Sequence, residues 1–181
     1  MLYKLPKYHI NEIYTDSSLR RSRLGVGIWN KHDKIEQSYK LSGLLDINRG
    51  ELAAIFIAML SISNKKDISI ISDSETALSI IRDKKDTCKD KYKILNNSVQ
   101  FLKSSWKGDI SFHKIKGHSG NIGNDYADKL AGMATNDNCD DNYDDNCEIS
   151  KFILPDELDI SNDYKIDIAD VLHTIRSLNN I

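Results

Sequence analysis

The chain has 181 residues, room for one domain plus an appendage, and a body of the first ~130 could bury roughly two thirds of its unfolded surface. Its formal charge of -2 hides a division: residues 1–134 hold 22 Lys and Arg against 15 Asp and Glu, and residues 135–181 hold 3 against 12, a body of +7 and a tail of -9. No stretch nears the ~20 apolar residues that span a bilayer, the N-terminus lacks a signal-peptide run, and Cys88, Cys139 and Cys147 have neither the number nor the spacing of a zinc site or a disulfide framework, so a soluble intracellular protein of a reducing compartment, with no membrane partner, is expected.

In chain order, residues 10–15, LGVGIWN at 24–30 and KIEQSYKLS at 34–42 read as short β-rich strands separated by polar turns, an antiparallel meander. From Asn48 to Ser63, Leu52, Ile55, Phe56, Met59, Leu60 and Ile62 recur at helical spacing, with Ile57 widening the stripe. The β-branched run DISIIS at 67–72 is a strand, and SETALSIIRDK after it is a helix with Ser74 as N-cap. Ile94, Leu95, Val99, Phe101 and Leu102 mark a helix over 91–106, DISFHKI at 109–115 a strand, and Asn124 to Ala134 a final helix of the body. This order predicts an α/β fold with a mixed five-stranded sheet flanked by helices. The acidic low-complexity stretch 136–150 is expected to be a disordered linker, and 151–181 a C-terminal extension with helical apolar spacing through Ile168, Val171, Leu172, Ile175 and Leu178.

A basic body suits a polyanion-binding module, and its acidic appendage either limits nonspecific contact or is only a solubilising tail. Four acids stand out, and each has an ordinary explanation. Asp16 follows a strand, where Asp and Ser open turns. Glu51 lies three residues after Asn48, close to a capping box. Asp73 ends a strand and precedes a helix, where caps and ligands both gather. Asp128 falls early in a helix, where the macrodipole favours an acid. Together they point elsewhere, because a buried cluster of carboxylates repels itself unless cations neutralise it. Asp33, Asp67, Asp83, Asp86 and Asp90 lack such a pattern and read as solvated surface. His9, His32, His113 and His173 need no special role, whereas His118 lies on a loop made flexible by Gly117, Gly120 and Gly123.

Asp16 in IYTDSS, Glu51 in NRGELAA, Asp73 in ISDSE and Asp128 in NDYADKLA, with KIKGHSGNIGNDYADKLA at 114–131, resemble the type 1 ribonuclease H family, which cuts the RNA strand of RNA/DNA hybrids. The resemblance covers residues 10–134 and implies a ribonuclease H domain over 1–135. It implies two Mg2+ ions, with Mn2+ able to substitute, Asp16 and Asp73 on the nucleophile side and Asp16, Glu51 and Asp128 on the leaving-group side, and products with 5'-phosphate and 3'-hydroxyl ends. His118 would assist proton transfer or product departure, while Ser18, Asn48 and Ser74 would meet the RNA strand's 2'-hydroxyls, with Arg49 also facing the hybrid.

The chain departs from the family in two places. Ser17 stands where a glycine is usual, and the basic run at 82–93 lacks the tryptophan of a substrate-gripping protrusion. That shorter connection resembles ribonuclease H domains of retroelement polymerases, which take affinity from a polymerase or other neighbouring domain. Two alternatives stay open: a catalytically decayed hybrid-binding module, and a related DNA-cutting nuclease, against which KGHSGNIGN speaks.

Overall fold

The computed structural model describes residues 11–82, 92–136, 150–157 and 168–181. Alternating apolar side chains build an antiparallel meander of β1 (Asn11–Arg20), β2 (Arg23–Asn30) and β3 (Ile35–Leu41). A two-residue turn joins β1 to β2, with Arg21 and Ser22 both at positive φ, the backbone that matches strand twist in a tight hairpin. After helix α1 (Ile47–Leu60), strand β4 (Ile68–Ser72) returns parallel to β1. Helices α2 (Glu75–Arg82) and α3 (Lys93–Ser104) then lead to β5 (Ile110–Lys114), parallel to β4. Helix α4 (Ile122–Met133) follows, starting two residues before the Asn124 of the sequence reading because Asn121 accepts from the Asn124 amide and caps it.

Six strands form the sheet where five were expected, in the order β5-β4-β1-β2-β3-β6. The sixth, β6 (Ser150–Phe152), is parallel to β3 and too short to show a period in sequence. Phe152 meets Tyr39 edge-on at 5.2 Å, and a 3-10 turn (Pro155–Glu157) comes next. In α5 (Ile168–Asn179), Asn179 takes a hydrogen bond from the Ile153 amide and returns one to its carbonyl. Phe152, Leu154, Leu172 and Ile175 join the main core, so this segment packs with the body. Residues 137–149 of the expected linker and the cysteines Cys88, Cys139 and Cys147 lie outside the described residues, as do positions 83–91 of the basic run with Asp83, Asp86 and Asp90; the linker's last residue, Ser150, opens β6 instead.

The two faces of the sheet are covered differently. On one, Ile13, Leu24, Val26, Ile28 and Ile70 pack with residues of α1, α2, α3 and α5 in a continuous aliphatic core. Twelve of the fourteen α1 residues are buried, so the helix is wrapped all round rather than along one stripe. On the other face α4 lies against β1 and β2 through Tyr14, Ile71 and Ala127. Here Gly25, Gly27 and Gly123 permit close approach: a Cβ at Gly27 would overlap the Ala127 carbonyl and Ala131 amide, and one at Gly123 the Tyr14 ring. Trp29 stacks on Tyr126 of α4, ring centres 5.2 Å apart and planes 10° from parallel.

Of the acids read as solvated surface, two lie among the described residues: Asp67 is exposed, as read, and Asp33 is half-buried. Asp33 accepts from Asn11 and Lys66, and the Lys66 ammonium holds its carboxyl below the usual range. Asp67 accepts from the Asp109 amide at 2.9 Å. Among the described residues, no helix is long and apolar enough to cross a membrane.

Candidate active site

Register creates the site. The parallel ladder between β1 and β4 runs as far as Thr15 opposite Ser72 and stops. Asp16 and Asp73, the next residues on the two strands, therefore lie side by side where the ladder opens. Asp16 is not after a strand, as its sequence suggested, but inside one, because β1 continues along β2 to Arg20 with Asp16 opposite Gly27. The side chains of a strand alternate between faces, so Asp16 projects with Gly27 toward α4 and Ser17 projects with Val26 toward α1.

Glu51 arrives from the α1 side. Asp46, not Asn48, is the N-cap of α1: its side chain accepts from the Asn48 amide at 2.9 Å and the Arg49 amide at 3.2 Å. The capping-box explanation of Glu51 therefore fails, and its carboxylate points elsewhere. Gly50 brings the helix onto β1, since a Cβ there would crowd Leu24 and Ser17. Ser17 then holds Glu51 Oε1, donating from its hydroxyl at 2.6 Å and from its amide at 3.1 Å. The serine that stands in place of a glycine thus faces α1 and holds Glu51, a use its sequence did not reveal.

Asp16, Glu51 and Asp73 each offer a ligand atom, all within 4.8 Å of one another. Burial, and then the neighbouring Asp73 charge, raise the Asp16 carboxyl to about 7. Glu51 is raised to about 8, first by burial and next by Asp16, although the Ser17 bonds pull the other way. Glu51 Oε2 is buried without a hydrogen-bond partner among the described residues. A buried lone pair so placed, inside an oxygen-only donor set, suits a hard divalent cation. The residues present fit such an ion.

Asp128 is not in that trio. It is half-buried on the second turn of α4, close enough for its charge to raise Asp16. The contact of α4 with Gly27, opposite Asp16, holds it there. His118 is exposed at φ 50, a left-handed backbone uncommon outside glycine. The preceding Gly117 abuts Asp73 so closely that a Cβ would strike its carboxylate, which seats the His118 loop beside the cluster.

Among the expected substrate contacts, Asn48 is half-buried on the first turn of α1, and Ser18 is 8% exposed in β1. Ser74 caps α2 by accepting from the Ala77 amide at 3.2 Å. Arg49 does not face outward: it is 1% exposed, with its guanidinium turned into the protein. Asn124 was given no role by the sequence, yet its Oδ1 is a second buried acceptor without a partner among the described residues, one helical turn before Asp128.

A protein-family model described as RNase H matches residues 9–136. The chain is 30% identical over 138 residues to a Ribonuclease H of Chromohalobacter salexigens, covering 69% of this chain and 84% of that protein. It is also 29% identical over 135 residues to a Ribonuclease H of Orientia tsutsugamushi, covering 66% of this chain and 79% of that one.

Proposed function

Given that this chain belongs to the ribonuclease H family and is a ribonuclease H acting on RNA/DNA hybrids, we propose that it hydrolyses the RNA strand with two divalent cations, leaving 5'-phosphate and 3'-hydroxyl ends. The observation that carries this reading is the convergence of Asp16, Glu51 and Asp73 within 4.8 Å. Asp16, Glu51 and Asp73, with Asp128 beside them, would hold the cations. When bound, Mg2+ or Mn2+ supplies a water nucleophile near neutral pH and neutralises charge at phosphorus and on the leaving oxygen.

The protein's own work is placement. Ser17 fixes one Glu51 oxygen and leaves the other for coordination. Gly117 seats its loop against Asp73, and His118 on that loop moves a proton near the leaving oxygen or speeds product departure. Asn48, half-buried on the first α1 turn, reads 2'-hydroxyls across the hybrid's minor groove, with Ser18 and Ser74 as further contacts. The gathered acids favour this activity over a decayed module.

The test is a labelled RNA/DNA hybrid with Mg2+, beside single-stranded RNA, RNA duplex, DNA duplex and an Asp16→Asn protein. Cutting of the hybrid's RNA strand alone, lost in the variant, is expected. Folded protein inert in both Mg2+ and Mn2+ would move the assignment to a hybrid-binding module, and cutting of duplex DNA to a DNA nuclease.

A further inference from the structure

Arg49 heads the largest fully buried side chains, and it sits on the first turn of α1, two residues before Glu51. A guanidinium sealed from water needs acceptors for its donors, and Arg49 finds them in two places. Nε and Nη2 donate to Asp156 Oδ2 at 2.7 Å and Oδ1 at 2.9 Å, a two-pronged pair. Nη1 donates to the carbonyls of Ser42 at 2.7 Å and Leu44 at 3.3 Å, in the loop leading into α1. Asp156 comes from the 3-10 turn after β6, outside the residues 9–136 that match the family.

A two-pronged arginine–carboxylate pair fixes orientation as well as distance, unlike a point charge. The Arg49 stem is rooted in the helical turn that presents Glu51, so the direction of the guanidinium constrains that turn. Asp46, which caps it, accepts a hydrogen bond from the Tyr92 hydroxyl at 2.9 Å. The start of α1 is therefore held from three sides: Ser17 of the sheet, Tyr92 at the head of α3, and Asp156 of the C-terminal segment.

We infer that Asp156 is a positioning residue for the metal cluster, acting through Arg49 to hold the first turn of α1 where Glu51 meets Asp16 and Asp73. The C-terminal segment is then part of the catalytic unit. The competing explanation is a plain fastener that secures β6 and the turn to the body without touching cation binding. The inference rests on the reading of the cluster as a cation site.

The experiment uses the full chain with Asp156→Asn, which keeps the size and loses the charge, and Asp156→Glu, which keeps the charge and moves it by one methylene. Mn2+ binding without substrate is measured by calorimetry, alongside the Mg2+ midpoint of hybrid cleavage, the KM for hybrid and thermal melting. For Asp156→Asn the expected result is cation affinity weaker by about 10-fold, as for loss of a group that orients a ligand. Its Mg2+ midpoint should rise in parallel, with the KM for hybrid unchanged at saturating Mg2+. Asp156→Glu should shift both in the same direction by less. Lower melting with cation affinity unchanged in both variants overturns the inference and leaves a fastener. Should Asp156→Asn not fold, Asp156→Glu decides alone, and wild-type affinity there overturns it. A wild-type protein that neither binds Mn2+ nor cuts hybrid would instead sink the cation site itself.

Discussion

The two faces of the sheet solve different problems with different residues. The α1 face is thick: Ile13, Leu24, Val26 and Ile28 meet Leu52, Ile55, Phe56 and the apolar sides of three further helices. Its stabilisation comes from aliphatic area, which the exact shape of any one side chain affects little. The α4 face is thin, with glycines opposite helix backbone and a single small cluster around Tyr14, Ile71 and Ala127. The apolar cluster there is small, but position is set tightly, because backbone against backbone cannot slide without a clash. The acids are drawn from both faces, Glu51 from the thick and Asp128 from the thin, with Asp16 and Asp73 between. Stability and alignment are thus separated in space, and the cluster needs both.

The largest effect should come from cutting the link itself. Glu51→Gln keeps the Ser17 bond and the packing of α1 but withdraws a ligand charge, so kcat on hybrid should fall by roughly 10²- to 10³-fold or more with the melting temperature held or raised. Retained kcat would remove Glu51 from the mechanism. Next, one methyl added at Gly27 should cost more than one methyl removed at Ile28, its strand neighbour on the other face. We expect about 1–3 kcal/mol with reduced turnover for Gly27→Ala, and about 0.5–1.5 kcal/mol with turnover unchanged for Ile28→Val. Chemical denaturation of both proteins measures this, and equal costs would erase the contrast between the faces.

The smallest and most diagnostic effect is in pH. Asp16 and Glu51 are raised on folding to about 7 and about 8, so between pH 4 and 8 the cation-free folded state holds protons that the unfolded chain has released. Stability from these groups is fully present near pH 4 and is lost as pH rises through their folded values. Without Mg2+ the melting temperature should fall over that range relative to Glu51→Gln. Added Mg2+, which binds the deprotonated folded form, should protect more at pH 8 than at pH 5. A protection independent of pH would mean that these carboxyls are not the ligands.

Much of this was legible in sequence because Asp73 follows a β-branched run and Glu51 and Asp128 lie in helical stripes, so their elements could be placed. Asp16 reads as following a strand that in fact continues past it, because the pairing of β1 with β2 that carries the strand to Arg20 has no local mark. The convergence of the acids depends on the pairing of Thr15 with Ser72, which joins residues far apart in the chain and leaves no local mark. Asp46 and Asn48 are equally good caps by residue type, and only backbone geometry separates them. Arg49 is expected to face the hybrid only through the resemblance of NRGEL to the family motif, and nothing local marks it as buried. Its partner is 107 residues away, in a segment whose acids looked like solvent-facing charge.

That separation also has a meaning in time. Synthesis proceeds at about 5–20 residues per second, so Arg49 is made roughly 5–20 s before Asp156 exists to receive it. Through that interval the outer edge of β3 has no β6 beside it, and a buried-to-be guanidinium has no counter-charge. The nascent chain can close its meander and its main helix early, but the last corner of the catalytic unit is set only when the C-terminal residues emerge. A ribosome stalled before Ser150 would carry a body with its sheet edge open to strand addition by neighbours.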